Sequence, residues 1–178
     1  MDLRQSDLNE EPSDKLFIAM SDSVGLARVQ GRGSFKISKT LKQFAAQMLD
    51  DGRKTLVMDL KYCEGMDSTF MGTLAGISQR YQKAGGDPVM MTSVSPKLHQ
   101  LMKTLGLDRL VKIQASSWKT QEQVTSLPEG EPSQDSELEA AEHILEAHET
   151  LCKISPENLS KFEDCLNYLR QDVENRKQ

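Results

Sequence analysis

The stretch LVMDLKYCEGMDSTFMGTL, residues 56–74, carries the clearest structural signal in this chain. It begins with a nearly continuous apolar run, which predicts a β-strand that is covered on both faces. After Met66 it passes through Asp67, Ser68 and Thr69 into a segment whose apolar residues recur at helical spacing. The stretch therefore predicts a strand, a short polar turn and a helix, with the hydroxyl groups of the turn at the start of the helix.

The position of these hydroxyl groups leaves two roles open. Asp67 has the residue type and position of a helix cap, and a serine in a turn is an ordinary structural feature. The start of a helix also presents unpaired N–H groups and the positive end of the helix dipole, which together stabilise an anion such as a phosphate group. Ser68 and Thr69 are therefore candidate modification sites as well as turn residues.

The residues on either side of this stretch predict one α/β domain over 15–117. Small residues at 72, 75 and 76 are expected to let the helix lie close to the sheet. We expect a mixed β-sheet flanked by helices, parallel for the most part after a first antiparallel hairpin. The predicted elements are a hairpin around 23–25, a helix capped by Ser38, a strand at 54–60, the helix after Asp67 that ends at Gly85, a strand at 87–93, a helix from Ser95 to Gly106, and a strand at 109–113.

Three further segments complete the predicted organisation. Residues 1–14 lack hydrophobic periodicity and are expected to form a flexible acidic arm. Residues 118–136 have the proline, glycine, serine and acidic composition of a linker. Residues 137–178 predict a C-terminal helical pair, whose first helix begins with a capping box at Ser136 and Glu139.

The apolar stripes of this helical pair must be buried, because a two-helix hairpin has too little core of its own. Either the pair folds back on the α/β domain, or two chains form a homodimer through 137–178. The side chains expected to face inward are Leu138, Ala141, Leu145, Leu151, Leu159, Phe162, Leu166, Leu169 and Val173.

Composition excludes several classes of function. The chain has 178 residues and a net charge of −5, and acidic ends flank a basic middle. Because no dense Lys/Arg cluster alternates with aromatic residues, direct nucleic-acid binding is not expected. The longest apolar run, LFIAM, is too short to span a membrane, and the N-terminal residues are polar and acidic. We therefore expect a cytoplasmic protein without membrane insertion.

The cysteines and histidines do not predict a cofactor or metal site. Cys63, Cys152 and Cys165 are scattered and show neither zinc-ligand spacing nor a disulfide framework. His143 and His148 are five residues apart, which separates them on a helix surface, so we expect ordinary surface or groove histidines.

Catalysis is not predicted either. No G-x-S-x-G elbow surrounds Ser68, and the local sequence places no histidine as its base. The sequence GRGSF at 31–35 lacks the third glycine of a dinucleotide-binding fingerprint. We therefore expect a binding protein rather than an enzyme.

Residues 15–113 resemble the STAS domain of bacterial anti-sigma factor antagonists. The resemblance rests on the stretch 56–74, on the glycine pair at 85–86, and on SPKLHQLMKTLGLDRLVKI at 95–113. In that family the serine directly after the aspartate is the phosphoacceptor, which corresponds to Ser68, with Thr69 as the second candidate. The resemblance implies a module that binds a serine-kinase anti-sigma factor when Ser68 is unphosphorylated and is reset by a PP2C-like phosphatase.

Two residues depart from the family pattern near the candidate phosphosite. Phe70 stands where the family usually has glycine, and we expect it to place a bulky group beside the hydroxyl. Ser34 stands where an acidic residue often lies, which changes the polarity around the site. With Asp67 they form the predicted environment of Ser68. Both departures favour an alternative function, a non-phosphorylated STAS scaffold subunit of a larger signalling or transporter assembly.

Overall fold

A computed structural model describes residues 14–115 and 135–178. Its elements are strands β1 (Lys15–Met20), β2 (Val24–Gly33), β3 (Thr55–Met66), β4 (Met90–Thr92) and β5 (Lys112–Gln114), and helices α1 (Phe35–Asp50), α2 (Ser68–Lys83), α3 (Pro96–Thr104), α4 (Glu137–Ile154) and α5 (Glu157–Arg176). The predicted order of strands and helices is confirmed. The predicted arm at 1–14 and linker at 118–136 fall almost entirely outside the described residues.

The five strands form one mixed sheet in the order β1-β2-β3-β4-β5. Strands β1 and β2 are antiparallel, and each later neighbour pairs in parallel. The parallel strands are joined by helices, as parallel connections require. The predicted first hairpin and the parallel remainder of the sheet are therefore confirmed.

Strand β3 lies at the centre of the sheet and is buried on both faces. Leu56, Met58 and Leu60 contribute to the main core together with residues of α1, α2 and α3. On the opposite face Val57 packs with Leu26 and Met90 in a small second cluster. The burial of alternate side chains on two faces explains the nearly continuous apolar run in the sequence.

Several predicted boundaries were wrong: β3 continues to Met66 instead of ending at residue 60, and β4 begins at Met90 instead of residue 87. Helix α1 begins at Phe35 with Ser34 in the N-cap position, because the N–H groups of residues 37 and 38 both donate to the Ser34 carbonyl. Ser38 therefore lies in the first turn, where it is fully buried. The last strand begins at Lys112 instead of residue 109, because Leu107–Arg109 form a short 3-10 turn after Gly106.

The C-terminal helices form an antiparallel pair that folds back on the domain, which is one of the two arrangements that the sequence left open. Leu151 is fully buried in the main core, and Phe162 packs against that core. The inward prediction was wrong for Leu159, which is 54% exposed. The neighbouring Asn158 is buried instead, and its Nδ2 donates to the carbonyl oxygens of Leu105 and Leu151 at 2.9 and 2.8 Å.

Candidate functional site

The carboxylate of Asp67 joins the N-termini of two helices. Its Oδ1 accepts a hydrogen bond from the Phe70 N–H at 2.8 Å, which caps α2, and its Oδ2 accepts one from the Phe35 N–H at 2.8 Å. The Asp67 N–H donates to the Gly33 carbonyl at 2.8 Å. The predicted cap is therefore present, and the same residue also fixes the start of α1 beside the start of α2.

Ser68 is the first residue of α2 and follows directly after this cap. Its side chain is half-buried, whereas Thr69 is only 5% exposed. Both hydroxyl-bearing residues lie in the first turn of α2, where N–H groups are not used within the helix. Of the two candidate modification sites, Ser68 is the more accessible.

The Ser68 hydroxyl contacts a histidine from the C-terminal pair. Its Oγ lies 2.9 Å from Nε2 of His148, and Nδ1 of the same ring lies 2.8 Å from the Ile144 carbonyl oxygen. A carbonyl oxygen can only accept, so Nδ1 carries the proton of the neutral ring and Nε2 is left as an acceptor. Ser68 therefore donates its hydroxyl proton to His148.

A second histidine on the same helix reaches a serine of α1. Nε2 of His143 lies 2.7 Å from Ser38 Oγ and 3.4 Å from Thr73 Oγ1. Each hydroxyl donates to a carbonyl of its own helix. The neutral ring therefore donates from Nε2. Burial, reinforced by the charge of Lys42, lowers the pKa of His143 to about 4, so the ring is neutral at pH 7.

The expectation of surface or groove histidines is met only by His143, which lines a groove between α1, α2 and α4, and neither histidine lies on the open surface. They are 8% and 5% exposed, and both lie between α4 and the α/β domain. The sequence held a signal for one of them, because His143 precedes the buried Ala147 and Leu151 at successive intervals of four residues. Such spacing places all three on one helix face.

A glycine lets α4 lie directly on α2. A Cβ atom at Gly72 would lie 2.6 Å from the carbonyl carbon of Ala147, closer than atoms can pack. At Gly76, one turn later, a Cβ atom would meet only a Thr150 methyl group at 3.9 Å. The missing side chain at Gly72 therefore serves contact with α4, and not with the sheet as the sequence predicted.

Ion pairs link α4 and the residues just before it to α1. Lys39 pairs with Asp135, and Lys42 pairs with Glu146. Both acids belong to the C-terminal segment, and both lysines belong to the basic middle of the chain. The acidic C-terminal segment and the basic middle of the chain therefore attract each other at this contact.

The two predicted departures from the family pattern lie close to the Asp67 cap. Phe70 is fully buried in the main core, where its ring would lie 2.7 Å from a Cβ atom at Gly33. Its ring points into the core, whereas the sequence predicted a bulky group beside the hydroxyl. Ser34 is 5% exposed, and its Oγ has no hydrogen-bond partner among the described residues.

No metal site or membrane span is found in the part of the chain that the structure describes. Within residues 14–115 and 135–178, His, Cys, Asp and Glu side chains do not gather in groups of three that could hold a metal ion. No helix in these ranges is both long and apolar enough to cross a bilayer. The thiols of Cys63, Cys152 and Cys165 are free, and burial raises the pKa of Cys63.

Comparison with known proteins identifies the domain. A family model described as STAS domain matches residues 18–119. A crystal structure of a candidate anti-sigma factor antagonist from Thermotoga maritima is similar at 20% identity, covering 62% of this chain and 95% of that chain, with a TM-score of 0.52. An anti-sigma factor antagonist from Mycobacterium paratuberculosis is similar at 21% identity over 61% and 92%, with a TM-score of 0.50. At these identities the likeness concerns the fold, and α4 and α5 lie outside the residues that the family model matches.

Proposed function

The chain belongs to the STAS domain family, and on that premise we propose that it is a phosphorylation-switched protein-binding module. It acts as an anti-sigma factor antagonist that binds a serine-kinase anti-sigma factor while Ser68 is unphosphorylated. Phosphorylation of Ser68 by that kinase ends the complex, and a PP2C-like phosphatase restores the binding form. The module itself catalyses no reaction.

The observation that carries this proposal is the position of Ser68. It is the first residue of α2, directly after the cap formed by Asp67, and its side chain is half-buried. A phosphate at this position would meet unpaired N–H groups and the positive end of the helix dipole. The modification can therefore be accommodated without unfolding α2. Thr69 is the second candidate, and its burial makes it the less accessible acceptor.

The surroundings of Ser68 support a switch in protein binding. Phe35, whose N–H is bonded to Asp67, has an exposed ring, so an apolar side chain is available to a partner at the start of α1. Aromatic side chains of this kind are common anchors in protein interfaces. A phosphoserine adds a charge of about −1.5 to −2 beside that anchor. A loss of ~3 kcal/mol of interface energy would weaken binding more than a hundredfold.

The proposal is tested by binding and modification of Ser68 variants. Ser68→Ala should keep affinity for the cognate kinase in calorimetry while losing phosphate incorporation, and Ser68→Glu should bind more weakly. Glutamate carries less charge than phosphate, so its effect is a lower limit. Thr69→Val serves as the control for the neighbouring hydroxyl. Equal affinities for all variants, with no phosphate on Ser68 in protein from its native cell, would contradict the switch.

The scaffold function is the second candidate, and the hydrogen bond from Ser68 to His148 favours it. Because the Ser68 hydroxyl already has a hydrogen-bond partner within the protein, it can serve a structural role without being phosphorylated. A scaffold subunit would be found in a signalling or transporter assembly with Ser68 unmodified. Mass spectrometry of Ser68 in the isolated native assembly separates the two functions, because the switch requires a phosphorylated fraction.

A further inference from the structure

We propose that the hairpin of α4 and α5 is a built-in cover for Ser68. While it is docked on α2, it withholds the Ser68 hydroxyl from other proteins, and it must lift before that hydroxyl can be modified or contacted. This inference rests on the proposed function, because it concerns regulation of the same residue. It adds a second control that precedes phosphorylation.

The contact between Ser68 and His148 is the first observation behind the cover. At 2.9 Å from Oγ to Nε2, the two atoms form a direct hydrogen bond. Such a distance leaves no room for a phosphorus atom and its oxygens between the hydroxyl and the ring. The ring is also fixed by two further contacts, because its Nδ1 donates to the Ile144 carbonyl and it packs perpendicular to the Phe162 ring with the ring centroids 5.0 Å apart.

The backbone contact at Gly72 is the second and independent observation. Gly72 lies one helical turn after Ser68, and the Ala147 backbone sits where its side chain would be. Ala147 directly precedes His148, so this approach is what brings the histidine to the hydroxyl. The hairpin is therefore held on α2 by close backbone packing at Gly72 as well as by the hydrogen bond between Ser68 and His148.

The hairpin holds contacts of its own that allow it to move as a unit. Arg170 pairs with Glu149, and Arg176 pairs with Glu137, so two places along α5 are tied to α4. The ion pair of Lys42 and Glu146 joins the hairpin to α1. Each of these three pairs includes an exposed partner, and exposed ion pairs contribute little to stability. Lifting the hairpin would also expose Leu151, which is buried in the main core, so the docked position is the stable one.

The test uses the full-length chain and a thiol as a reporter of exposure. The Ser68→Cys variant is labelled with iodoacetamide, and the modified peptides are followed by mass spectrometry, with the exposed Cys165 as an internal reference. The substitution Gly72→Ala is added to this background, because a methyl group there would overlap Ala147. Gly76→Ala is the matched control on the same helix, where a methyl group fits.

We expect the introduced thiol at position 68 to be labelled at least about tenfold more slowly than Cys165. With Gly72→Ala its labelling should become about tenfold faster, in line with the typical cost of overpacking a close contact. Gly76→Ala should leave the rate unchanged. Equal labelling of the introduced thiol and Cys165 without a glycine substitution, or equal rates for the two glycine variants, would overturn the cover. If amide hydrogen exchange shows that Gly72→Ala unfolds the sheet, His148→Ala replaces it in the Ser68→Cys background. Faster labelling of the thiol at position 68 would then support the cover, and an unchanged rate would overturn it.

This experiment needs neither kinase nor phosphate, so its outcome is independent of the binding tests. Slow labelling that Gly72→Ala relieves would support the cover even if Ser68 were never phosphorylated. Phosphorylation of Ser68 with equal labelling rates would leave the switch standing and remove the cover.

Discussion

The Ser68 hydroxyl donates a hydrogen bond to His148, a residue 80 positions later in the chain, across a distance of 2.9 Å. The family match ends at residue 119, so this contact joins the shared domain to a segment outside it. The candidate phosphosite is consequently part of the surface that holds the C-terminal hairpin in place. Modification at this site and docking of the hairpin are physically connected.

A double-mutant cycle should detect the energy of this hydrogen bond. We expect Ser68→Ala to lower the free energy of unfolding by about 1 kcal/mol, because it leaves the buried Nε2 of His148 without its donor. Combining it with His148→Ala should show a coupling energy of similar size. Urea denaturation of the four proteins measures it, and strictly additive losses would mean that the bond contributes no stability.

Substitution of Asp67 should affect two helices at once. Asp67→Ala removes acceptors from both the Phe35 and Phe70 N–H groups, and we expect a loss of about 2 kcal/mol from the cap and the second bond together. Asp67→Asn keeps one carbonyl acceptor and should cost about half as much. Urea denaturation compares the three proteins. If the asparagine variant were as stable as the parent, only one of the two bonds would contribute.

Stability should fall in mild acid because of His143. Its pKa is about 4 in the folded protein, against about 6.5 for an unperturbed histidine. As the pH falls from about 6.5 to about 4, the unfolded chain binds a proton that the folded protein does not. The free energy of unfolding should therefore decrease by about 3 kcal/mol, and the loss from this group levels off as the pH falls below the folded pKa.

The matched control for this pH dependence is His143→Gln, which can still donate to Ser38 but does not titrate. Charged groups that act on His143 are Lys39, Lys42, Asp135 and Glu146, and all of them remain in the variant. Urea denaturation at pH 7, 5.5 and 4.5 should show a steeper decline for the parent than for the variant. Parallel pH profiles would mean that His143 is not the group responsible.

The homodimer through 137–178 stays a prediction, and the fold restricts where it would form. Leu166, Leu169 and Val173 are buried within the chain, so a partner copy would have to use the exposed face of α5, where Leu159 and Tyr168 are 54% and 69% exposed. The dimer predicts a light-scattering mass of twice 20.0 kDa that decreases in the double variant Leu159→Glu and Tyr168→Glu. A monomer mass for the unchanged chain at all concentrations would contradict it.

Local sequence is sufficient to predict the strand, cap and helix around Ser68. The apolar run before Asp67, the capping carboxylate and the helical spacing after Ser68 all act within a few residues, where propensity and capping decide the structure. The same applies to Ser95 as the cap of α3 and to Ser136 with Glu139 as a capping box, both of which are present. Signals of this kind can be interpreted without knowing the fold.

The contacts that cover Ser68 depend instead on how distant segments pack. Nothing in the local sequence brings His148 to this hydroxyl or turns Gly72 toward α4, because each contact pairs residues that are more than 70 positions apart. Such pairing requires two complementary surfaces, which exist only after the helices have packed. Ser38 illustrates the same dependence, because the residue expected as a helix cap instead contacts His143 inside that interface.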